Sequence, residues 1–164
     1  MTIVRRATVD DVPAIRSVLA VTWRDTYGAF VPLEAIERTT AVWHAPEALA
    51  AELADSTTYT GVAVDQSGVV GMVTAHGRPD AVDIARLYVH PAAQRRGIGA
   101  RLLTSALSAF PDVPRARLEV EAQNPKGRAF YAQAGFVPVA ERTVEAFGVS
   151  LRVIVMERNG EATP

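Results

Sequence analysis

The feature that most constrains this chain is a change of hydrophobic period at Tyr59. Before it, apolar residues recur at helical spacing. Ile15, Val18, Leu19 and Thr22 form one inward stripe, and "LEAIERTTAVW" and "PEALAAELA" read as two further helices. Gly28 and Pro32 break the pattern between them, and Pro46 suits the first turn of the last piece. A short strand, "IVRRAT", precedes all of this, with Thr8 or Asp10 placed to cap the first helix. After Tyr59 the β-branched runs "YTGVAVD" and "VVGMVTAH" are joined by "QSG", a hairpin signal. "AVDIARLYVH" is a third run. Strict alternation puts Ile84, Arg86, Tyr88 and His90 on one face, and Asp83, Ala85, Leu87 and Val89 on the other.

Helical spacing then returns at Leu102, Leu103, Ala106, Leu107 and Phe110, followed by the strand "ARLEVEA". Asn124 and Pro125 open another helix and Gly135 closes it, an asymmetric bracket specific to helices. The chain finishes as a hairpin pivoting near Gly148. This order predicts an α+β or mixed α/β fold: a central, mostly antiparallel twisted sheet of about seven strands, flanked by helices. A parallel step is expected across the helix that starts near residue 98.

At 164 residues the chain has room for one domain, expected over residues 1–160, with a frayed polar tail at 161–164. The net charge of −1 gives no global field for nucleic acid or an anionic membrane, so neither is expected as a partner. No apolar run approaches the roughly 18 residues of a membrane span, and the N-terminus lacks the apolar core of a signal peptide. There is no cysteine, which excludes disulfides, a thiol nucleophile and thiolate metal sites, and which suits a cytoplasmic location. His44, His76 and His90 show no metal-ligand spacing, so no metal is expected.

The chemistry concentrates in "QRRGIGARLL", residues 94–103. It lacks the third glycine of a dinucleotide fingerprint and the Gly-Lys-Ser/Thr ending of a nucleotide P-loop. Yet Pro91 ends the preceding strand, and Gln94 to Ala100 lead into a helix whose first amides have no internal partners. Gly97 and Gly99 let backbone approach a ligand, and Arg95 and Arg96 add positive charge. Such a turn is suited to a pyrophosphate.

"V-x-P-x-x-Q-R-R-G-I-G-x-x-L-L", from Val89 to Leu103, resembles the acyl-CoA-binding motif of the GNAT superfamily of N-acetyltransferases through Gln94, Gly97 and Gly99. "EAQNPKGRAFYAQAGF" resembles that family's later segment through Asn124, Tyr131, Gly135 and Phe136. The resemblance is most specific from Asp83 to Val137 and weakest over residues 20–57. It implies the GNAT-like fold, with the sheet splayed at the acyl-CoA site. Acetyl-CoA would be the acyl donor. Its pyrophosphate would lie on Arg95, Arg96, Gly97, Ile98, Gly99 and Ala100, with Gln94 in the motif. Its pantetheine arm would pair with Leu87 and Val89 and contact Asn124, and Tyr131 would reach the thioester sulfur.

The implied reaction is acetyl transfer to an amine by direct attack in a ternary complex. An alkyl ammonium with a pKa of ~10 must first lose a proton. Asp83, where the family often carries Glu, is the first candidate base, with Glu119 and Glu121 as alternatives. The Val89 N–H is a candidate oxyanion donor, and the Tyr131 hydroxyl a candidate acid for the departing thiolate. Trp23, Tyr27 and Phe30 are candidates for an aromatic acceptor wall. The acceptor would be a small-molecule, peptide or protein amine, and the protein a monomer or homodimer. A non-catalytic acyl-CoA sensor is the alternative function.

Overall fold

A computed structural model describes residues 1–160, so the tail expected at 161–164 lies outside the described residues. Strand β1 (Ile3–Arg6) leads through a tight turn into helix α1 (Val12–Tyr27). Asp11 organises that turn. Its carboxylate accepts from the Thr8 amide at 2.8 Å and from both Arg5 guanidinium nitrogens at 2.8 and 2.9 Å. The hydrogen-bonded Arg5 partner is the main reason its carboxyl lies below the usual carboxylate range, and burial opposes it. Helices α2 (Leu33–Trp43) and α3 (Pro46–Ala54) follow, then strands β2 (Thr58–Asp65), β3 (Gly68–Gly77) and β4 (Val82–Val89). Helix α4 (Ile98–Ser108), strand β5 (Arg115–Glu121), helix α5 (Pro125–Gln133) and the hairpin β6 (Val137–Ala146) and β7 (Val149–Asn159) complete the chain. This is the element order that the hydrophobic periods predict.

The seven strands form one sheet in the order β1-β2-β3-β4-β5-β7-β6. Every neighbouring pair is antiparallel except β4 with β5, which are joined across α4. That parallel pairing is short, covering only Val82 to Ile84 against Ala116 to Leu118. Beyond Ile84 the two strands diverge, so the C-terminal half of β4 and the end of β5 face each other across a cleft. Each strand keeps its other neighbour: β4 stays bonded to β3 as far as Val89, and β5 to β7 as far as Glu121.

One face of the sheet buries Val73, Ile84, Leu118 and Phe136 with Leu102 and Leu103 of α4. The other buries Val62 and Met72 with Leu19 and Trp23 of α1 and Ile36 of α2. A fully buried leucine such as Leu102 contributes about 1.5–3 kcal/mol by leaving water, and Leu102→Ala would cost about 2–5 kcal/mol once the cavity is counted.

The alternation expected along β4 is corrected by a bulge. The register against β3 jumps from Thr74↔Arg86 to Ala75↔Ile84, which leaves Ala85 as an extra residue. An extra residue inverts the facing of everything after it. Ile84 therefore shares the α4 side with Leu87 and Val89, while Tyr88 packs on the α1 side.

Candidate active site

The cleft takes its chemistry first from backbone. The His90 amide bonds the Val70 carbonyl at 2.8 Å, one residue beyond the facing pair Val89↔Gly71. In antiparallel geometry this makes Val89 a non-hydrogen-bonded position, and Leu87, two residues earlier, another. Both therefore turn their N–H and C=O away from β3 and toward the cleft. The Val89 carbonyl is already taken by the Gln94 side-chain amide at 3.1 Å. Gln94 thus braces the loop that follows against the end of the strand.

That loop is a cluster of free amides. Neither the loop and turn bonds nor the side-chain bonds among the described residues give an acceptor to any amide from Arg95 to Ala100. The amides of Ile98, Gly99 and Ala100 form the first turn of α4, at the positive end of its dipole. Arg95 and Gly97 lie in the left-handed region at φ 65° and 74°, which aims neighbouring amides into one concavity. The geometry fits a diphosphate. Arg95 is exposed, and Arg96 reaches Asp65 of β2 at 3.4 Å.

The two glycines differ in their reasons. At Gly97 an added Cβ would meet nothing within 4 Å, so conformation alone demands glycine there. At Gly99 it would stand 3.2 Å from the Phe130 ring of α5 and 3.9 Å from Val89 Cγ2. Gly99 is small because two elements close on it, a reason the sequence does not display.

Side chains meet at the mouth of the cleft, on the side where α1 packs. The Tyr27 and Tyr88 hydroxyls lie 3.0 Å apart, and the Glu121 carboxyl sits beside Tyr27. Burial raises the Glu121 carboxyl above the usual range; a backbone hydrogen bond at Glu121 and then the nearby Tyr27 hydroxyl oppose that, and Glu119 adds to it. Burial likewise raises the Tyr88 phenol to about 12. Tyr131 projects from α5, edge-on to Phe130 at 5.1 Å and Phe136 at 5.8 Å. Burial, then the nearness of Tyr88 and Glu121, pushes its phenol up as well, so it stays protonated at neutral pH. Glu121 also lines a pocket of about 150 Å³ with Phe30, Gln123, Ser150 and Leu151.

The other expected residues are placed as follows. Asp83 lies in the closed part of the β4–β5 pairing, bonded to Arg117 at 2.9 Å and Arg78 at 3.1 Å. Glu119 is paired with Arg142. Trp23 and Tyr27 are core residues, 4% and 5% exposed, while Phe30 alone of that trio reaches the pocket. The Asn124 side chain accepts from the Gly127 amide at 3.0 Å, which makes it the cap of α5 as its sequence position predicts. Sequence reasoning missed Tyr88, whose facing depends on the bulge, and Phe147, a buried hairpin-tip residue packed on Tyr27 at 5.2 Å.

Solved structures share this fold. The coenzyme A complex of the paia N-acetyltransferase from Thermoplasma acidophilum superposes with a TM-score of 0.84 at 23% identity, over 97% of this chain and 99% of that one. The ribosomal-protein-S18-alanine N-acetyltransferase from Escherichia coli gives 0.73 at 18% identity, over 100% and 99%. A mycothiol acetyltransferase from Beutenbergia cavernae is 44% identical over 66 residues, which is 38% of this chain and only 22% of that protein. The acetyltransferase (GNAT) domain family matches residues 30–157. With the splayed sheet and the amide-lined loop, that match shows that the chain belongs to the GNAT acetyltransferase family.

Proposed function

We propose that the protein moves an acetyl group from acetyl-CoA to a primary amine by direct attack within a ternary complex. The observation that carries this reading is a half-buried carboxyl, Glu121, at the mouth of a cleft whose other end is a free-amide loop. Acetyl-CoA supplies the activated acyl group. The amides from Arg95 to Ala100 hold its diphosphate, with Arg95 and Arg96 beside them. The cleft-facing amides of Leu87 and Val89 pair with its pantetheine amides as a strand would, and the Asn124 side chain borders that arm.

Glu121 takes the proton from the acceptor ammonium. A carboxylate whose pKa is raised toward neutrality is a better base for this task than one held by two arginines, as Asp83 is. The Val89 N–H donates to developing negative charge on the acyl oxygen. The Tyr131 hydroxyl, kept protonated by its surroundings, donates to the departing thiolate. With no cysteine in the chain, no acyl-thioester on the protein is needed or available.

A pocket of about 150 Å³ holds one benzene-sized group, so it takes the amine-bearing end of a small molecule or of a peptide. An amine acceptor is in keeping with the N-acetyltransferase names of the solved relatives.

The test is an acceptor screen with acetyl-CoA that follows thiol release, alongside CoA binding. At least one amine is expected to be acetylated. Glu121→Gln should lower kcat by about 10²-fold or more with CoA affinity retained. Tyr131→Phe should also lower kcat without weakening CoA. Tight CoA binding with no amine acetylated would favour the non-catalytic sensor, and absence of CoA binding would overturn the reading altogether.

A further inference from the structure

We infer that the acceptor is the amino end of a peptide chain, and that the open sheet face beside Glu121 is the subsite for the residues that follow its reacting amine. This rests on the reading of Glu121 as the base of that reaction. Strand register places the subsite. Residues that face each other in a sheet point to the same side, and so do residues two apart on one strand. Glu121, Glu119 and Arg117 therefore share one face of β5. Glu121 stands in a row with Val153 of β7 and Arg142 of β6, and Glu119 in the next row with Val155 and Ala140. Asp83 of β4 faces Arg117 in the row beyond. Glu119, Ala140 and Arg142 are exposed on this face.

A groove of about 620 Å³ crosses it, from His76 of β3 over Asp83 and Ala85 of β4 and Arg117 and Glu119 of β5 to Arg142 of β6. It is far larger than the pocket of about 150 Å³ at Glu121, and it lies in the range of about 300–1,000 Å³ that whole ligands fill. The two adjoin on β5, where Glu119 of the groove is two residues from Glu121 of the pocket. From Glu121 to Arg117 the strand rises about 13 Å, enough for about four residues of extended chain.

The charges of the groove choose its occupant. Two carboxylates, Asp83 and Glu119, are matched by two guanidiniums, Arg117 and Arg142, and each is neutralised in place. Arg117 bonds Asp83 at 2.9 Å, and Arg142 pairs with Glu119. A polycation or a polyanion meets no net opposite charge there. Donors and acceptors nevertheless remain. Arg117 meets Asp83 through Nε and one Nη, and Arg142 meets Glu119 through one Nη, whereas a guanidinium has five N–H donors. Glu119 uses only Oε1 in its pair, which leaves Oε2 to accept. A peptide backbone offers C=O acceptors and N–H donors in alternation, the complement of this floor. A small amine has nothing to place there.

The experiment is a series of amides with a free amino end, one, two, four and six residues long and built from alanine and serine, assayed with acetyl-CoA. From one residue to four, kcat/KM is expected to rise about 10-fold or more, mainly through KM, the size of one or two hydrogen bonds. Six residues should add little. Ala85 is exposed in the groove, so Ala85→Trp fills it, and the four-residue amide should fall to the level of the one-residue amide. Arg142→Ala, on the edge strand away from the coenzyme cleft, should also reduce the gain. A retained rise in Tm with CoA shows that each variant is folded. Binding of the four-residue amide to the CoA complex, followed by ¹⁵N chemical shifts, should move the Glu119 and Arg142 signals.

Equal kcat/KM at every length would overturn the inference, as would a length gain that survives both substitutions. Dimerisation that Ala85→Trp abolishes, with no length gain, would give this face to a second copy of the chain and overturn it too. If no amide is acetylated but the Glu119 and Arg142 signals move, the subsite stands and the reading of the reaction fails.

Discussion

Burial without a partner makes His44 sensitive to acid. It is 1% exposed, packs edge-on against Trp23 at 4.4 Å, and neither ring nitrogen has a hydrogen bond. Burial first, then Arg86 and Arg16, lowers its pKa to about 4 from the ordinary 6.5. The folded protein thus disfavours the imidazolium that the unfolded chain accepts. The neutral side chain has no penalty above about pH 6.5. As pH falls the unfolded state gains the proton first, and stability declines until about pH 4, below which the loss is constant. The full loss is at most about 3 kcal/mol. Urea denaturation at pH 7 and pH 4.5 should show His44→Phe losing less stability between the two than wild type. Equal losses would mean His44 gains its proton freely when folded. In the sequence, His44 looks like either of the other histidines. Likewise Asp83, Glu119 and Glu121 are all carboxylates on strands, and only their partners tell them apart. Arg78 and Arg117 take the first, Arg142 takes the second, and burial raises the third above the usual range.

Elements meet where a side chain must be absent, and the loop before α4 shows it. Gly97→Ala should cost about 1–2 kcal/mol from its left-handed backbone alone, since no atom stands near its missing side chain. Gly99→Val should cost stability by collision with Phe130. Pairing that substitution with Phe130→Ala should recover part of the loss, whereas Gly97→Ala with Phe130→Ala should be additive. Denaturation midpoints of the single and double variants measure both couplings. The β6–β7 hairpin carries a comparable conflict. Its two turn residues, Phe147 and Gly148, both have positive φ, at 57° and 72°. That geometry normally favours Asn-Gly, and a phenylalanine there is strained. Its ring is 8% exposed among Trp23, Tyr27 and Trp43. Phe147→Asn should therefore destabilise by about 1–3 kcal/mol despite the better turn chemistry, because ring burial exceeds the backbone strain.

At the scale of the whole molecule, the cleft exists because β4 and β5 pair over three residues and then part. A ligand that spans the gap and the amide loop joins two halves of the sheet, so it should stabilise the entire fold. CoA at about 100 times its Kd adds about 2.7 kcal/mol, which for a domain of this size raises Tm by roughly 5–10 °C. Pantetheine, which lacks the diphosphate, should give a much smaller rise at equal concentration. Equal rises would place the binding energy in the cleft and not in the loop. Much of this was legible beforehand. Element order, the parallel step across α4, the Asn124–Gly135 bracket and the free-amide loop all follow from local periodicity and from residues that punctuate backbone, which act within a few positions. The facing of Tyr88, the packing role of Gly99, the neutral His44 and the contact of Tyr27 with Tyr88 do not. Each depends on a partner far along the chain, or on one bulged residue that inverts a strand. Local sequence therefore determined the elements and the glycine-rich turn before α4, and tertiary packing decided which carboxylates are paired with arginines and which is left half-buried.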